Sequence, residues 1–146
     1  VYGKLIRFPN NEAIFGKQQI YNEQDQVCGT EPNLLINATE ISFDGLWELV
    51  RSYGGVMFPA HVDKTANSLI ANLGFIPPDS RFRTAEVKDL KKLHQLQKDN
   101  PYLDKCRIIS NSDAHYLEHM NEPELTLQVE EKTVQGIIDA LLDGAG

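Results

Sequence analysis

From Ser42 onward the chain alternates short apolar runs with amphipathic stretches, and that rhythm predicts its architecture. Phe43, Leu46, Trp47, Leu49 and Val50 fall on one face of a helix that Ser42 can cap and Gly54-Gly55 stops. Val56-Met57-Phe58 then reads as a buried strand that ends at Pro59-Ala60-His61. A short helix is expected over 68–73, closed by Gly74, with a loop at Pro77-Pro78. Thr84 to Val87 reads as a weak strand, in which Glu86 is either an exposed residue or a carboxylate at a site rim. Leu90, Leu93 and Leu96 lie at helical spacing as far as Asn100-Pro101. Arg107 to Ser110 is the next strand, and Leu125 to Val129 alternates as a last one. Thr133 can cap a final helix whose Val134, Ile137, Ile138 and Leu141 would face the core. Repeated strand-then-helix units imply parallel strands with right-handed crossovers, an α/β fold.

The residues before Ser42 follow a different pattern. Val1, Leu5 and Ile6 have roughly helical spacing, broken at Phe8-Pro9-Asn10-Asn11. Gln19-Ile20-Tyr21 and Gln26-Val27-Cys28 flank the polar Asn22-Glu23-Gln24-Asp25, the signature of a β-hairpin. It is too short and polar to be core and reads as an excursion from the main fold. Leu34-Leu35-Ile36 then runs back inward.

Composition narrows the possible functions. With 146 residues, 41% of them hydrophobic, the chain is about one domain with no run long enough to span a membrane. A formal charge of −7 argues against a general nucleic-acid surface, but not against a small phosphorylated substrate whose charge a metal offsets. Cys28 and Cys106 are too far apart for a metal knuckle, and read as ordinary thiols of a reducing, cytoplasmic protein without a signal peptide.

The chemistry gathers at strand ends. Ile108-Ile109-Ser110-Asn111-Ser112-Asp113-Ala114-His115 is an apolar strand that stops and presents a carboxylate and an imidazole two positions apart. In parallel α/β folds such ends share one face with His61, so His61, Asp113 and His115 are candidate ligands for Zn or Mn. The bland alternatives are a helix-capping Asp beside an exposed His, and a core histidine satisfied by backbone. Lys64, three residues past His61, is either a phosphate-binding cation or a solvated lysine. Ser110, Asn111 and Ser112 can hydrogen-bond a substrate or simply the turn. His94 falls on a polar helix side and His119 in a loop. A glycine-rich phosphate loop and a G-x-S-x-G elbow are both lacking.

Pro59-Ala60-His61-Val62-Asp63-Lys64 followed by Ser110-Asn111-Ser112-Asp113-Ala114-His115 resembles the later motifs of the PHP family, the polymerase and histidinol phosphatase domains. Asn72-Leu73-Gly74-Phe75-Ile76-Pro77-Pro78 and the stretch Ile14-Phe15-Gly16-Lys17-Gln18 are similar to bacterial PHP phosphoesterases. The resemblance implies the C-terminal part of a distorted (β/α)7 barrel carrying a hairpin insert, with up to three Zn, Mn or Fe ions at its strand ends. It implies His61, Asp113 and His115 as metal ligands, with Asp113 and His115 in the catalytic machinery, and Lys64 as the contact to substrate phosphate. The substrate would be a phosphorylated small molecule or a nucleotide.

PHP domains open with an H-x-H strand, whereas all four histidines here lie at or after position 61. The expectation is therefore a single partial domain over 1–146, lacking its first strands and weak or inactive alone. The competing expectation is a non-catalytic α/β piece that self-associates through an open sheet edge and an uncovered apolar face.

Overall fold

In the computed structural model, residues 2–123 and 125–144 are described, and the chain divides into two compact units, one up to Leu46 and one from Trp47. The class is mixed α/β, with two sheets of two strands each among the described residues and no closed barrel.

The first unit holds a short helix α1 (Glu12–Phe15) and strands β1 (Gln19–Tyr21) and β2 (Val27–Thr30). Strands β1 and β2 pair antiparallel across the polar turn, as the hairpin pattern predicts. Asn22 Oδ1 accepts from the amides of Gln24 and Gln26, which fixes that turn. The expected N-terminal helix is only a 3-10 turn, Tyr2–Lys4, after which Leu5 bridges to Thr39 as extended chain. Leu35 and Ile36 do not run inward; Ile36 is 79% exposed. No described residue of this unit is buried.

The second unit contains the core. Helix α2 (Phe43–Ser52) leads into it, with Ser42 Oγ accepting from the Gly45 amide and Gly54 turning the chain out at φ +72°. Helix α3 (Leu69–Leu73) is capped by Ser68 and closed by Gly74 in the left-handed region. Strand β3 (Thr84–Glu86) runs parallel to β4 (Arg107–Ile109) in the register Thr84–Arg107, Ala85–Ile108, Glu86–Ile109. Between them lie a 3-10 turn (Leu90–Lys92), helix α4 (Leu93–Asp99) and a further 3-10 turn (Pro101–Lys105). Helix α5 (Val134–Asp143) starts at Thr133, whose hydroxyl accepts from the Gly136 amide.

Far from being weak, β3 is central: Thr84, Ala85, Glu86 and Val87 are all buried. A strand covered on both faces loses the alternation that would make it conspicuous in sequence. Phe82, Leu103, Val62 and Val87 are the largest wholly enclosed apolar side chains around it. Tyr102 packs on Phe82 at 4.8 Å between ring centroids, and its hydroxyl shares its proton between the carbonyls of Phe82 and Ser80. That burial pushes the Tyr102 phenol up to about 12 and the neighbouring Cys106 thiol up to about 11. Both cysteines are free thiols.

Two expected strands do not form. Val56–Phe58 makes no ladder, and the chain meets β3 just after it: the Glu86 amide donates to Pro59 O, and the Val62 amide to Glu86 O. A regular parallel bridge would use residues two apart, so one extra residue is accommodated around His61, which sits at φ +33°. The residues over 125–129 form no strand among the described residues; a 280 Å³ groove lined by Leu125–Leu127 runs along β4. The inward face of α5 is also narrower than its periodicity implies. Val134 is 77% exposed and Ile137 is exposed, while Ala140 is buried. The helix approaches the sheet through backbone, with Leu141 O accepting from Thr84 Oγ1 and Ala140 O from Arg107 Nε.

Candidate functional site

Three backbone segments meet at the carboxyl end of the β3–β4 pair: 59–64, 86–89 and 110–113. The first is held to the second at several points. Besides the Glu86 bonds, the Asp63 carboxylate accepts from the amides of Lys88 (2.8 Å) and Asp89 (2.9 Å). Partial burial raises the Asp63 pKa, but these amides outweigh it and hold the carboxyl below its usual range. Within the segment, the Lys64 amide donates to His61 O and Ser68 Oγ donates to Lys64 O. The turn that carries His61 and Lys64 is therefore fixed from both sides.

The third segment leaves β4 and crosses toward the first. Asn111 Nδ2 donates to Glu86 Oε2 at 3.1 Å, and Glu86 is only 9% exposed. Asp113 adopts φ +52°, a left-handed conformation that Asp tolerates better than most residues. Its carboxylate is thereby brought against Lys64, with Lys64 Nζ 2.7 Å from Asp113 Oδ2. The Lys64 bond holds the Asp113 carboxyl below its usual range against some desolvation, helped by the charges of Lys64, His61 and Lys88.

The predicted site residues part company here. Asp113 and Lys64 are in direct contact, and His61 lies close enough to act on Asp113 electrostatically. His61 Nδ1 is buried and has no hydrogen-bond partner among the described residues. His115 instead stands 80% exposed, its Nε2 4.0 Å from Asp113 Oδ1, beyond hydrogen-bond range. Among the described residues no group of three or more His, Cys, Asp or Glu side chains is arranged to hold a metal ion. As a test of fit, the donor atoms have the right chemistry at two positions, an unpartnered imidazole nitrogen and a carboxylate, but the carboxylate already has an ammonium on it. His94 is exposed, and His119 ends a 3-10 turn (Leu117–His119) with its ring edge-on to Tyr116.

Two contributors, Lys88 and Asp63, are not evident from sequence, and the rim alternative offered for Glu86 is the one the structure takes. Lys88 adds positive charge near Asp113, and Asp63 fastens the loop rather than binding anything. Glu86 is a buried rim carboxylate and not an exposed strand residue. Only the lack of alternation around Glu86 hinted at enclosure.

These features define an α/β chain with a carboxylate, an imidazole and two lysines at the carboxyl end of a parallel strand pair. Compared with known families, with curated proteins and with solved structures, the chain matches none. No helix among the described residues is long and apolar enough to cross a membrane.

Proposed function

We propose that this chain is the C-terminal part of a PHP-type (β/α)7 barrel and contributes to metal-dependent hydrolysis of a phosphoester. The observation that carries the reading is the Lys64–Asp113 contact, because it joins the two motif loops on which the resemblance rests. In this reading His61, Asp113 and His115 are the ligand set and Lys64 is the phosphate contact. When bound, a divalent ion supplies a water of lowered pKa and offsets charge on the phosphoryl oxygens. The chain's own residues orient the reaction. Asn111 and Glu86 fix the segment that carries Asp113, and Asp63 fixes the turn that carries His61 and Lys64.

A catalytic zinc takes about three protein ligands, and two-metal activation takes more. The 146-residue chain alone therefore binds at most one transition metal and hydrolyses phosphoesters poorly or not at all. The test compares metal content and hydrolysis of p-nitrophenyl phosphate, with Mn or Zn, for this chain and for Asp113→Ala. It repeats both in a longer chain that adds an H-x-H strand. The longer chain should be active, and Asp113→Ala should abolish that activity while circular dichroism stays unchanged. Robust turnover by the short chain, or full activity with Asp113 replaced, contradicts the proposal.

A second reading, an interaction module that self-associates, draws on the exposed apolar groups. Ile36, Tyr53, Leu117 and Val134 are each more than three-quarters exposed.

A further inference from the structure

Strand β4 has a bare outer edge. The Arg107 amide donates to Arg83 O, and Ile109 O accepts from the Val87 amide, so Arg107 and Ile109 turn their backbone groups toward β3. Those groups alternate in direction along a strand, which leaves the Ile108 amide and carbonyl pointing away from β3. Neither has a hydrogen-bond partner among the described residues. The 280 Å³ groove lies along this edge, with β4 on one wall and Leu125, Thr126 and Leu127 on the other. An unpaired edge of this kind is a template for whatever chain can lie against it. The segment 125–129 is suited to it. Leu125 lines a second cavity with Ser110 and Ser112, past the carboxyl end of β4, whereas Gln128 and Glu130 line a third with Arg107, at its amino end. The segment therefore runs antiparallel to β4. An antiparallel neighbour needs no crossover helix, and the described residues between Ser110 and Pro123 supply only the 3-10 turn Leu117–His119. With Leu125 beside Ser110, Leu127 falls opposite Ile108. Burial also alternates, with Leu127 and Val129 half-buried and Thr126 and Gln128 exposed, the period of a strand with one face covered.

We propose that residues 125–129 are a strap that closes antiparallel on β4, with Ile108 and Leu127 exchanging both of their backbone hydrogen bonds. Residues directly opposite in such a ladder share a face, so closure also sets one apolar side chain against the other. It fills the groove, adds a strand to the sheet and withdraws the β4 edge from other chains. The orientation is the reverse of the parallel one that the strand-then-helix rhythm implies. Only backbone groups and apolar side chains take part, so the strap is independent of the metal reading.

The experiment is amide hydrogen exchange read by NMR on the native chain, Leu127→Pro and Gln128→Pro. In the closed strap the Leu127 amide donates to Ile108 O while the Gln128 amide points away from β4, so proline removes a ladder bond at 127 and none at 128. In the native chain the Ile108 amide should exchange at least about tenfold more slowly than an unstructured amide. Leu127→Pro should speed that exchange about tenfold or more, and Gln128→Pro by less than about threefold. The Arg107 amide, bonded to Arg83, reports whether the sheet itself is intact in each variant. If Leu127→Pro does not fold, the native chain decides alone: a nuclear Overhauser contact between the α-protons of Ile109 and Thr126, the adjacent pair in this register, supports the strap, and its absence overturns it. Unprotected Ile108 in the native chain overturns the strap, as does Ile108 protection that Leu127→Pro leaves intact. Equal acceleration by both prolines, with Arg107 still protected, overturns the register and with it the proposal. Protection that rises with protein concentration shows a second copy on the edge and also overturns it.

Discussion

Asp63 shows how much one side chain can do at the rim without taking part in chemistry. Its carboxylate accepts two backbone amides from the segment that follows β3, so Asp63→Ala leaves both donors without their partner. Losing charge-assisted bonds of this kind should cost about 1–2 kcal/mol in urea unfolding. Asp63 and Asp113 both have lowered folded-state pKa values. A depressed carboxyl stabilises above its unfolded pKa, about 4, and loses that contribution as pH falls through the lower folded value. The native chain should therefore lose stability below roughly pH 4, and Asp63→Asn should flatten that loss. An unchanged acid limb in the variant would remove Asp63 from the account. Gly144 is a second residue with a definite demand. It sits at φ +80° and ψ −155°, and a Cβ there would come within 3.0 Å of Lys105 O and 3.1 Å of Arg83. Since only glycine adopts that backbone region readily, Gly144→Ala should destabilise by about 1–3 kcal/mol, read as a lower urea midpoint.

At the scale of elements, local signals served where the structure is local. The hairpin, the Ser42 and Thr133 caps, and the glycine stops at Gly54 and Gly74 all lie where the sequence pattern puts them, whereas Ser68, read as the first helical residue, is the cap. Their information is held within a few residues. Strands depend on partners, and there the pattern failed in both directions. Leu125 to Val129 alternates well but pairs with no strand among the described residues, whereas Thr84–Glu86 barely signals and is the centre of the core. The site was legible as far as its loops: His61, Lys64 and Asp113 do gather at one rim. The ion pair was not legible, because it depends on the left-handed turn at Asp113 and the extra residue at His61, neither of which composition reveals. The bulge also makes a prediction. Deleting Ala60 removes the extra residue, so it should restore regular pairing to Glu86 while withdrawing Lys64 from Asp113. If zinc binding survives that deletion unchanged, the bulge has no role in the site.

At the scale of the molecule, the buried residues are all in the second unit, and none of the described residues up to Leu46 is buried. Phe15, Ile20, Tyr21, Val27 and Ile36 are left facing solvent there. Apolar surface of this kind together with a two-stranded sheet is marginal in water and calls for cover. The isolated chain should accordingly self-associate at micromolar concentration in sedimentation velocity, and a stable compact monomer would count against that expectation. The proposed activity stands or falls on a narrower point, which is whether the rim receives a metal ion at all. The direct measurement is a crystal structure of this chain grown with zinc, with anomalous data collected at the zinc edge. One peak should appear at ligand distance, about 2.0–2.2 Å, from His61, Asp113 and His115. The absence of a peak among these three residues at saturating zinc would contradict the metal reading.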